Sequence, residues 1–560
     1  MKPGSAIIPI VLLATACMTR GATVNTAAGQ SANAVVPATA GPRTRAELTD
    51  YKETSRYADV VAFLDSLRGR PELSFNSLGK STEGRDIPYV VASRPRVSTP
   101  AEARRLGRPI IYVQGNIHAG EVEGKEALLA LVRNLTSSPS NVLDSIILIA
   151  VPIYNADGNE KFGPQDRNRG SQNGPEMVGQ RANGQGLDLN RDYVKLEAPE
   201  TRGAVALFNA WDPHVFVDLH TTDGSYHGYA LTYAGPLNPA APLGAFTRDF
   251  VLPALRTRMQ QRHGFATFDY GDFISDDTLS RGWATFGPQP RYGTNYYGLR
   301  GHISILSEAY SHDSFKRRVA STYAFVQEIL SLMAENSETV RKLTSAAASQ
   351  PTRWNRPGQL TSPVPIRSEA IPRRDSVEVV AEAMERLNDS SRTEAGVPKG
   401  LRRTGRFTPV RMPVYDIYRP TLVASPPIAY ALVPSDMHAV RILGLHGVTI
   451  DSLTATRVAR AETFVADSAI TSARPFQGHR ELRVVGRWIS ERREIPAGSY
   501  IIPTNQPLGS IIIYLLEPRS DDGLVTWNFF DNAFRAGAAY PVLRVMSDLR
   551  PTSSTGSGNR

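Results

Sequence analysis

The stretch 108–121 constrains the fold more than any other part of this 560-residue chain. Its apolar run, 109–113, has the length and composition of a buried strand in an α/β sheet. The run breaks at a Gln-Gly-Asn sequence, and from Val122 onward the apolar residues take helical spacing. His118 and Glu121 are therefore expected on a loop at the carboxyl end of a strand, where open α/β sheets bind ligands.

A histidine and a carboxylate on such a loop are two of the three protein ligands that a catalytic zinc requires, with a fourth position left open for water. Taken alone, the His-x-x-Glu spacing is weak, because the chain has 10 histidines. The spacing also does not choose among Glu121, Glu123 and Glu126 as the carboxylate. A plain surface loop is the alternative interpretation, and the rest of the chain has to decide.

Two further strands end in residues of the same chemistry. The apolar segment 215–219 ends at His220, and the segment 303–307 ends at Glu308. If these strands are neighbours of the first, His118, His220 and Glu308 converge at one edge of the sheet.

The first 17 residues are predicted to be a bacterial-type secretory signal. Lys2 precedes an apolar stretch, 6–14, that is too short to span a bilayer core of about 30 Å, and an Ala-Thr-Ala cleavage sequence follows. Cys17, the one cysteine of the chain, comes next, as in a lipoprotein lipobox, and is the predicted lipidation site. Ala14 departs from the leucine usual at its position, which leaves plain secretion as the alternative. We expect an exported protein, periplasmic or anchored to a membrane by its lipid.

Composition and patterning divide the remainder. Residues 46–345 alternate strand-like and helix-like segments, which predicts an α/β domain with a mixed, mostly parallel sheet flanked by helices. Residues 405–550 contain short alternating strands between turns, which predicts a β-rich, sandwich-like domain. The other predicted segments are a signal with lipobox (1–17), a disordered tether (18–45), a linker with a helix at 375–387 (346–404) and a disordered tail (551–560). The strands predicted in the β-rich domain are 428–433, 440–445, 482–488, 499–502 and 510–516.

The net charge of +9 does not indicate nucleic-acid binding. The basic residues occur in short clusters interleaved with acids, and neither a basic stripe nor a known nucleic-acid-binding module is present in the sequence. Solvated faces and weak attraction to an anionic envelope account for the charge.

Motifs in residues 50–345 resemble the zinc carboxypeptidase family, the carboxypeptidase A type. The resemblance rests on the order of separated motifs, each of which is modest alone. They are Gly79-Lys-Ser-Thr-Glu-Gly-Arg85, His118-Ala-Gly-Glu121, Asn155-Ala-Asp-Gly158, Asp188-Leu-Asn-Arg191 and His220, with Leu306-Ser-Glu308 closing the set.

The resemblance implies a zinc site with one Zn²⁺ per chain. His118, Glu121 and His220 would be its ligands, and Glu308 would be the general base that takes a proton from the attacking water and passes it to the leaving amine. Asp188 would orient the first zinc histidine.

The resemblance also implies residues that bind the substrate. Asn190 and Arg191 match the pair that binds the terminal carboxylate, and a guanidinium suits that role because it bonds a carboxylate in two places. Arg181 is the candidate that steadies the developing oxyanion. Arg167 and Arg169 compete with it, because the segment 162–186 departs in length from the best-known members.

Two tyrosines are candidates for the residue that closes on substrate in the family. Tyr296 and Tyr297 precede Glu308 at a shorter interval than in the digestive enzymes, so either serves or both belong to the core. Among the other histidines, His214 lies at the far end of the strand that leads to His220 and cannot share its metal. His227 is a loop residue that could line the pocket, and the histidines at 302 and 446 are assigned to structure.

The leading hypothesis is an exported zinc metallocarboxypeptidase that acts on the carboxyl ends of peptides or proteins. An alternative keeps the zinc but changes the substrate, to a cell-wall peptide or an acylated amide. A third hypothesis, a catalytically inactive binding protein of the same fold, is disfavoured because the ligand set and the base are both present.

Overall fold

A computed structural model describes residues 36–37, 41–239, 242–275, 279–355, 361–388, 397, 400–434, 437–530, 537 and 539–551. The predicted signal peptide with Cys17, most of the predicted tether and the predicted tail from residue 552 lie outside the described residues. Within the described part of the chain, no helix has both the length and the apolar character needed to cross a membrane.

In the described residues of the amino-terminal half there are twelve strands and twelve α-helices. The strands are β1 (Leu73–Lys80), β2 (Asp86–Ala92), β3 (Ile110–Gly115), β4 (Ile147–Val151), β5 (Gly163–Pro164), β6 (Met177–Val178), β7 (Val215–Thr221), β8 (Leu231–Ala234), β9 (Thr267–Asp269), β10 (Asp272–Phe273), β11 (Trp283–Ala284) and β12 (Ile303–Ala309). The helices are α1 (Arg45–Leu48), α2 (Tyr57–Ser66), α3 (Pro100–Leu106), α4 (Glu123–Leu135), α5 (Ala156–Glu160), α6 (Gln165–Asn168), α7 (Pro199–Trp211), α8 (Leu243–Phe246), α9 (Leu252–His263), α10 (Gly293–Leu299), α11 (Phe315–Glu335) and α12 (Ser337–Ser349).

Eight of these strands form one mixed sheet in the order β1-β2-β4-β3-β7-β12-β8-β9. The central strands β4, β3, β7 and β12 run parallel to one another, and β1, β2 and β8 pair antiparallel. This confirms the predicted α/β class with a mixed, mostly parallel sheet.

The apolar central strands are buried on both faces, as parallel strands covered by helices must be. On β3, Ile110 and Tyr112 face a core shared with helices α7 and α10, whereas Ile111 and Val113 face a core shared with α4 and α11. The two-residue period of the strand therefore supplies both layers. Every residue of β3, β7 and β12 is buried.

The carboxyl-terminal half is rich in strands and also contains two α-helices. Its strands are β13 (Val364–Ile371), β14 (Val377–Arg386), β15 (Leu401–Met412), β16 (Val414–Tyr415), β17 (Ile417–Ala424), β18 (Ala429–Leu432), β19 (Asp451–Ser452), β20 (Arg457–Thr471), β21 (Leu482–Ile495), β22 (Tyr500–Pro503), β23 (Leu543–Val545) and β24 (Arg550–Pro551). The helices are α13 (Met437–His446) and α14 (Gly509–Leu516). The largest sheet has the order β19-β22-β18-β23-β20-β21, and β24 pairs with β20. The β-rich prediction is confirmed.

Three element predictions are wrong. The segments 440–445 and 510–516, predicted as strands, lie in helices α13 and α14, and the segment 375–387, predicted as a helix, contains strand β14. Periodicity alone does not separate a short buried helix from a short buried strand, which is why the first two predictions failed. In β14, the burial of Val379 and Ala381 beneath Trp283 follows the two-residue period of a strand.

The two halves share one hydrophobic core, and the described residues all fall within one compact unit. Phe208 and Tyr297 from the first half belong to the same buried cluster as Tyr430, Ile512 and Trp527 from the second. Strand β16 also pairs in parallel with β11. The carboxyl-terminal half is therefore part of the scaffold around the first half.

Candidate metal centre and substrate cavity

The predicted convergence of strand ends is present. Strands β3, β7 and β12 are adjacent, and Glu308 on β12 lies directly opposite His220 on β7. The last residue of β3, Gly115, pairs with Leu219, so the loop that carries His118 and Glu121 leaves the sheet beside His220.

The turn after β3 is fixed by close packing and by one asparagine side chain. Asn116 takes a left-handed conformation (φ 65°), and its Nδ2 donates to the backbone oxygens of Ala119 at 3.3 Å and Glu121 at 3.4 Å. A Cβ at Gly124, in the first turn of α4, would lie 2.7 Å from Cβ of Leu219. Because only glycine fits there, α4 can begin close enough to β7 for the loop to reach His220.

Two of the sequence motifs are structural supports of this loop. Asn155 donates from Nδ2 to the backbone oxygens of Ile117 at 3.3 Å and Arg181 at 3.1 Å. Asp157 accepts from the Ser81 hydroxyl at 2.6 Å and the Arg85 guanidinium at 2.7 Å, which joins the Gly79–Arg85 motif to the Asn155–Gly158 motif. Neither motif lines the cavity described below.

His118, Glu121 and His220 form the one cluster among the described residues that could hold a metal ion, with ligand atoms within 4.8 Å of one another. The two Nδ1 atoms are 3.2 Å apart, and the Glu121 oxygens lie 3.1 Å from Nδ1 of His118 and 3.0 Å from Nδ1 of His220. Ligands placed about 2.0–2.1 Å from a tetrahedral ion are about 3.3 Å apart. The three side chains therefore fit a zinc ion between them.

Each histidine places its other ring nitrogen against a carboxylate. Nε2 of His118 lies 2.9 Å from Asp188, and Nε2 of His220 lies 3.0 Å from Asp218. The His118–Asp188 contact is a hydrogen bond of the kind that fixes the ring and its tautomer so that Nδ1 is free to bind a metal. At His220 the Asp218 contact is an ion-pair distance, and Nδ2 of Asn190 lies 3.3 Å from the same ring nitrogen. Burial would lower the pKa of His220, but Asp218 and Glu121 outweigh it and raise the pKa well above its ordinary value. These carboxylates thus make the electrostatic potential negative where a cation would bind.

Glu308 lies beside the cluster and is buried. Burial, together with the charges of Glu121 and Asp223, raises the pKa of Glu308 well above its ordinary value, although His220 opposes that shift. A carboxylate with a raised pKa holds a proton more readily, as a general base in hydrolysis must.

These residues line one cavity of about 240 Å³. Its walls include the metal cluster, Glu308, Arg181, Asn190 and Arg191, together with Thr221, Asp223, Tyr270, Asp272, Ala284, Thr285, Phe286, Tyr292, Thr294 and Leu306. The guanidinium of Arg191 lies 4.4 Å above the ring of Tyr292. Asn190 accepts the backbone N–H of Gly293 at 2.9 Å, which ties residues 188–191 to the start of α10.

The cavity distinguishes the three candidate arginines. Arg181 lines it, donates to Asp188 at 2.8 Å and lies 3.5 Å from Glu121. Arg169 does not line the cavity, although its guanidinium also lies 3.5 Å from Glu121, and it is bound to Asp223 and to the backbone oxygens of residues 221 and 222. Arg167 is exposed in α6 and does not line the cavity.

Of the two alternatives for Tyr296 and Tyr297, the structure agrees with the second, in which both belong to the core. Both side chains are buried in α10, with exposures of 1% and 0%, and neither lines the cavity. The hydroxyl of Tyr296 is 2.6 Å from Nδ1 of His446, and the ring of Tyr297 stacks on Phe208. The interval to Glu308 placed them in the right segment but gave no information on which way they face.

The cavity contains two tyrosines that the sequence analysis missed, Tyr270 and Tyr292. Neither carries a motif that separates it from the other tyrosines of the chain. Asp218 was also missed, but the sequence did contain a signal for it. It precedes His220 by two residues on a strand, which places both side chains on the same face.

Of the other histidines considered from the sequence, His302 and His446, which were assigned to structure, are buried and do not line the cavity. His214, at the opposite end of β7, accepts the backbone N–H of Ile110 at 3.1 Å. His302 packs edge-on against Phe208, and His446 contacts Tyr296. His227 is fully buried and does not line the cavity.

Comparison with known proteins supports the resemblance. Residues 60–233 match the model of the zinc carboxypeptidase family. Carboxypeptidase 2 of Trichophyton tonsurans is 24% identical over 483 residues, which cover 83% of this chain and 81% of that protein. Human carboxypeptidase D is 29% identical over 175 residues, 29% of this chain and 11% of that protein. A crystal structure of a metallo-carboxypeptidase from Burkholderia cenocepacia has a TM-score of 0.38 and 19% identity, covering 51% of this chain and 70% of that one.

The matched family model and the names of these relatives confirm the predicted enzyme class, a zinc metallocarboxypeptidase. The relatives that align over most of the chain are fungal, so a bacterial source stays a prediction. Their alignment covers 83% of the chain, whereas residues 1–345 make up about 62% of its 560 residues. It therefore extends into the carboxyl-terminal half.

Proposed function

We propose that this chain is an exported, zinc-dependent carboxypeptidase that removes residues one at a time from the carboxyl ends of peptides or proteins. One observation carries the proposal. The cluster of His118, Glu121 and His220 shares a single cavity with Glu308 and with the Asn190–Arg191 pair. Hydrolysis of a terminal peptide bond requires a metal centre, a base and a site that binds the terminal carboxylate, and one cavity contains residues suited to all three.

His118, Glu121 and His220 are the residues that would hold the zinc ion, one per chain. Bound there, zinc lowers the pKa of water to about 7 and polarises the carbonyl of the bond to be cleaved. Asp188 and Asp218 keep the two imidazole rings in the orientation that presents Nδ1 to the ion.

Glu308 takes the proton of the attacking water on a carboxylate oxygen and delivers it to the amine that leaves. The side chain is buried next to His220, so the transferred proton stays at the reacting bond. General acid–base help of this kind contributes about 10² to 10⁴ in rate.

Arg191 and Asn190 bind the free carboxylate of the substrate. The Arg191 guanidinium lies 4.4 Å above the ring of Tyr292, which holds its planar fork at the cavity wall. Arg181 lies across the cavity within 3.5 Å of Glu121. There it stabilises the negative charge that develops on the carbonyl oxygen.

The carboxylate grip also separates the proposal from its alternatives. Hydrolysis of an acylated amide without a free carboxylate would leave Arg191 without a role in the cavity. A cell-wall peptide with a free carboxyl end satisfies the same residues and remains within the proposed chemistry. A binding protein would have no use for Glu308 next to an intact ligand set.

The test compares two variants on a mixed peptide library, with masses followed over time. Glu308→Gln keeps the shape of the side chain and should lose about 10² to 10⁴ in kcat while it retains zinc. His118→Ala should lose both zinc and activity, since it removes a ligand. Full zinc retention in His118→Ala, or unimpaired trimming by Glu308→Gln, would contradict the assignment of these roles.

The proposal places the enzyme outside the cytoplasm, held at a membrane by lipid on Cys17. The support is the sequence 1–17 alone. Cys17→Ser should move the protein from the membrane fraction to the soluble exported fraction. An unchanged distribution between these fractions would rule out the anchor.

A further inference from the structure

A hairpin from the carboxyl-terminal half contacts the carboxylate-binding segment directly. At the end of the β20–β21 hairpin, Oε1 of Gln477 accepts the backbone N–H of Asp188 at 2.8 Å. Asp188 begins the single helical turn that carries Asn190 and Arg191, and its own side chain accepts the N–H of Asn190 at 2.9 Å. Gln477 therefore holds the first residue of the turn on which the carboxylate grip is built.

Gln477 occupies a position that favours a different residue. Phe476 and His479 exchange backbone hydrogen bonds of 2.7 and 3.0 Å around a two-residue turn. Gln477 and Gly478 both have positive φ there, 51° and 79°. Such turns prefer Asn-Gly, because asparagine tolerates the left-handed region better than other side chains with a Cβ. Glutamine is more strained than asparagine at this position, but its side chain is one methylene longer and reaches the backbone N–H of Asp188.

Several contacts hold the hairpin against the same segment. His479 lies 2.8 Å from Glu197, which follows the Asp188–Arg191 turn in the chain. The ring of Phe476 stacks on Trp527, and Lys195 places its ammonium 4.1 Å above the Trp527 ring. These contacts fix the tip of the hairpin relative to the chain segment that follows the Asp188–Arg191 turn.

The carboxyl-terminal half also holds Arg291, which precedes the cavity-lining Tyr292. Arg291 donates from its backbone N–H to Asp522 at 2.6 Å and from its guanidinium to Asp522 and Glu481, each at 2.8 Å. The next residue is Tyr292, whose ring carries the Arg191 guanidinium. Both members of the Arg191–Tyr292 contact therefore depend on the carboxyl-terminal half for their placement.

We propose that Gln477 is a positioning residue for substrate binding, which makes the carboxyl-terminal half a working part of the carboxylate grip. The inference rests on the proposed function, because it assigns Gln477 to the placement of Asn190 and Arg191. Without its acceptor the buried N–H of Asp188 has lost a partner, and the turn can shift. The metal ligands lie on other segments, and the Asp188 carboxylate that contacts His118 is also held by Arg181, so the metal cluster stays in place.

The test uses the full chain with three variants at this position. Gln477→Asn suits the turn at least as well but is one methylene too short to reach Asp188. Gln477→Met keeps the length and removes the acceptor, whereas Gln477→Glu keeps both. We expect Gln477→Asn and Gln477→Met to raise KM for peptides with a free carboxyl end about tenfold, the worth of one hydrogen bond to a buried group. Gln477→Glu should stay within about threefold of the wild type.

Two further measurements separate positioning from a general structural role. The inhibition constant of acetohydroxamate, which chelates a metal and carries no carboxylate, should be unchanged in all three variants. The melting temperature of Gln477→Asn should stay close to that of the wild type, because the better turn residue offsets the lost hydrogen bond. A KM within twofold of wild type in Gln477→Asn and Gln477→Met would overturn the positioning role. Absence of trimming by the zinc-loaded wild type would instead overturn the proposed function, and this inference with it.

Discussion

At the scale of single residues, the metal centre depends on carboxylates behind its histidines. Asp218 is fully buried on β7, 3.0 Å from Nε2 of His220, and also accepts Nε2 of Gln114 at 3.0 Å. Asp188 lies 2.9 Å from Nε2 of His118, and its side chain also accepts the backbone N–H of Asn190. In the proposed function, metal binding and substrate binding thus meet at Asp188, whereas Asp218 supports only the metal-binding histidine.

Asp218→Asn should therefore weaken zinc binding without touching the substrate grip. Loss of such a partner costs about 10- to 100-fold in metal affinity, because the ring is less well oriented and less basic. The measurement is a titration against a zinc chelator of known affinity. Asp223→Asn is the matched control, since it removes a carboxylate from the same cavity that is paired with Arg169 and not with a histidine. Equal losses in the two variants would contradict the assignment.

The strand pattern decides which site residues could be predicted from the sequence. The positions of His118, His220 and Glu308 were predictable, because parallel strand ends meet at one edge and each residue follows an apolar strand. The tyrosines were not, since Tyr292 and Tyr296 lie one helical turn apart and only the packing of α10 decides which one faces the cavity. The same limit applied to Arg169 and Arg181, which lie on irregular backbone.

At the scale of elements, close approach between helix α4 and strand β7 sets the metal-binding loop. The segment was predicted well because its apolar pattern switches from a strand period to a helix period at the Gly-Asn turn. Helices α13 and α14 were missed because a run of eight to ten mostly apolar residues satisfies both patterns. Burial against the other half of the chain, which the sequence does not show, is what decides them.

Two glycine substitutions test these elements in opposite directions. Gly444 lies in α13, and among the described residues no atom outside the helix's own backbone lies within 4 Å of an added Cβ. Gly444→Ala should therefore raise the free energy of unfolding by about 0.5–1 kcal/mol through helix propensity. Gly124→Ala meets Cβ of Leu219 at 2.7 Å and should cost about 1–3 kcal/mol through overpacking. Denaturant unfolding measures both values. A destabilising Gly444→Ala would argue that residues 437–446 are not helical.

At the scale of the whole molecule, the two halves are one structure. The carboxyl-terminal half completes a core of the first half, pairs a strand with it and holds both the Asp188 turn and the residue before Tyr292. From sequence this half had no ligand set and no assigned role. The role we propose for it is positional, and the relative placement of distant segments cannot be deduced from the sequence alone.

Buried neutral histidines couple the stability of this structure to pH. Burial lowers the pKa of His227, His302 and His446 to about 3 in each case, against about 6.5 in the unfolded chain. Because the folded pKa is depressed, the stabilising contribution is complete above pH 6.5 and is lost as the pH falls towards 3. Below about pH 6 each of these histidines should cost about 1.4 kcal/mol of unfolding free energy per pH unit.

His446→Gln isolates one of these contributions. Glutamine can still donate to the backbone oxygen of Val194 and accept from the Tyr296 hydroxyl, the two bonds that His446 makes. Between pH 6 and 5 the unfolding free energy of the variant should fall less steeply than that of the wild type, by about 1.4 kcal/mol per pH unit. Parallel slopes would show that His446 is not held neutral in the folded state.

The central claim is that the cavity binds a metal and the free carboxyl end of a peptide together. The most direct measurement offers the zinc-loaded wild type two peptides of identical sequence, one with a free carboxyl end and one amidated, and follows their masses over time. The account predicts stepwise loss of single residues from the free peptide and at least a hundredfold slower reaction of the amide, because Arg191 has no partner there. Equal rates on the two peptides, or cleavage at internal bonds, would contradict it.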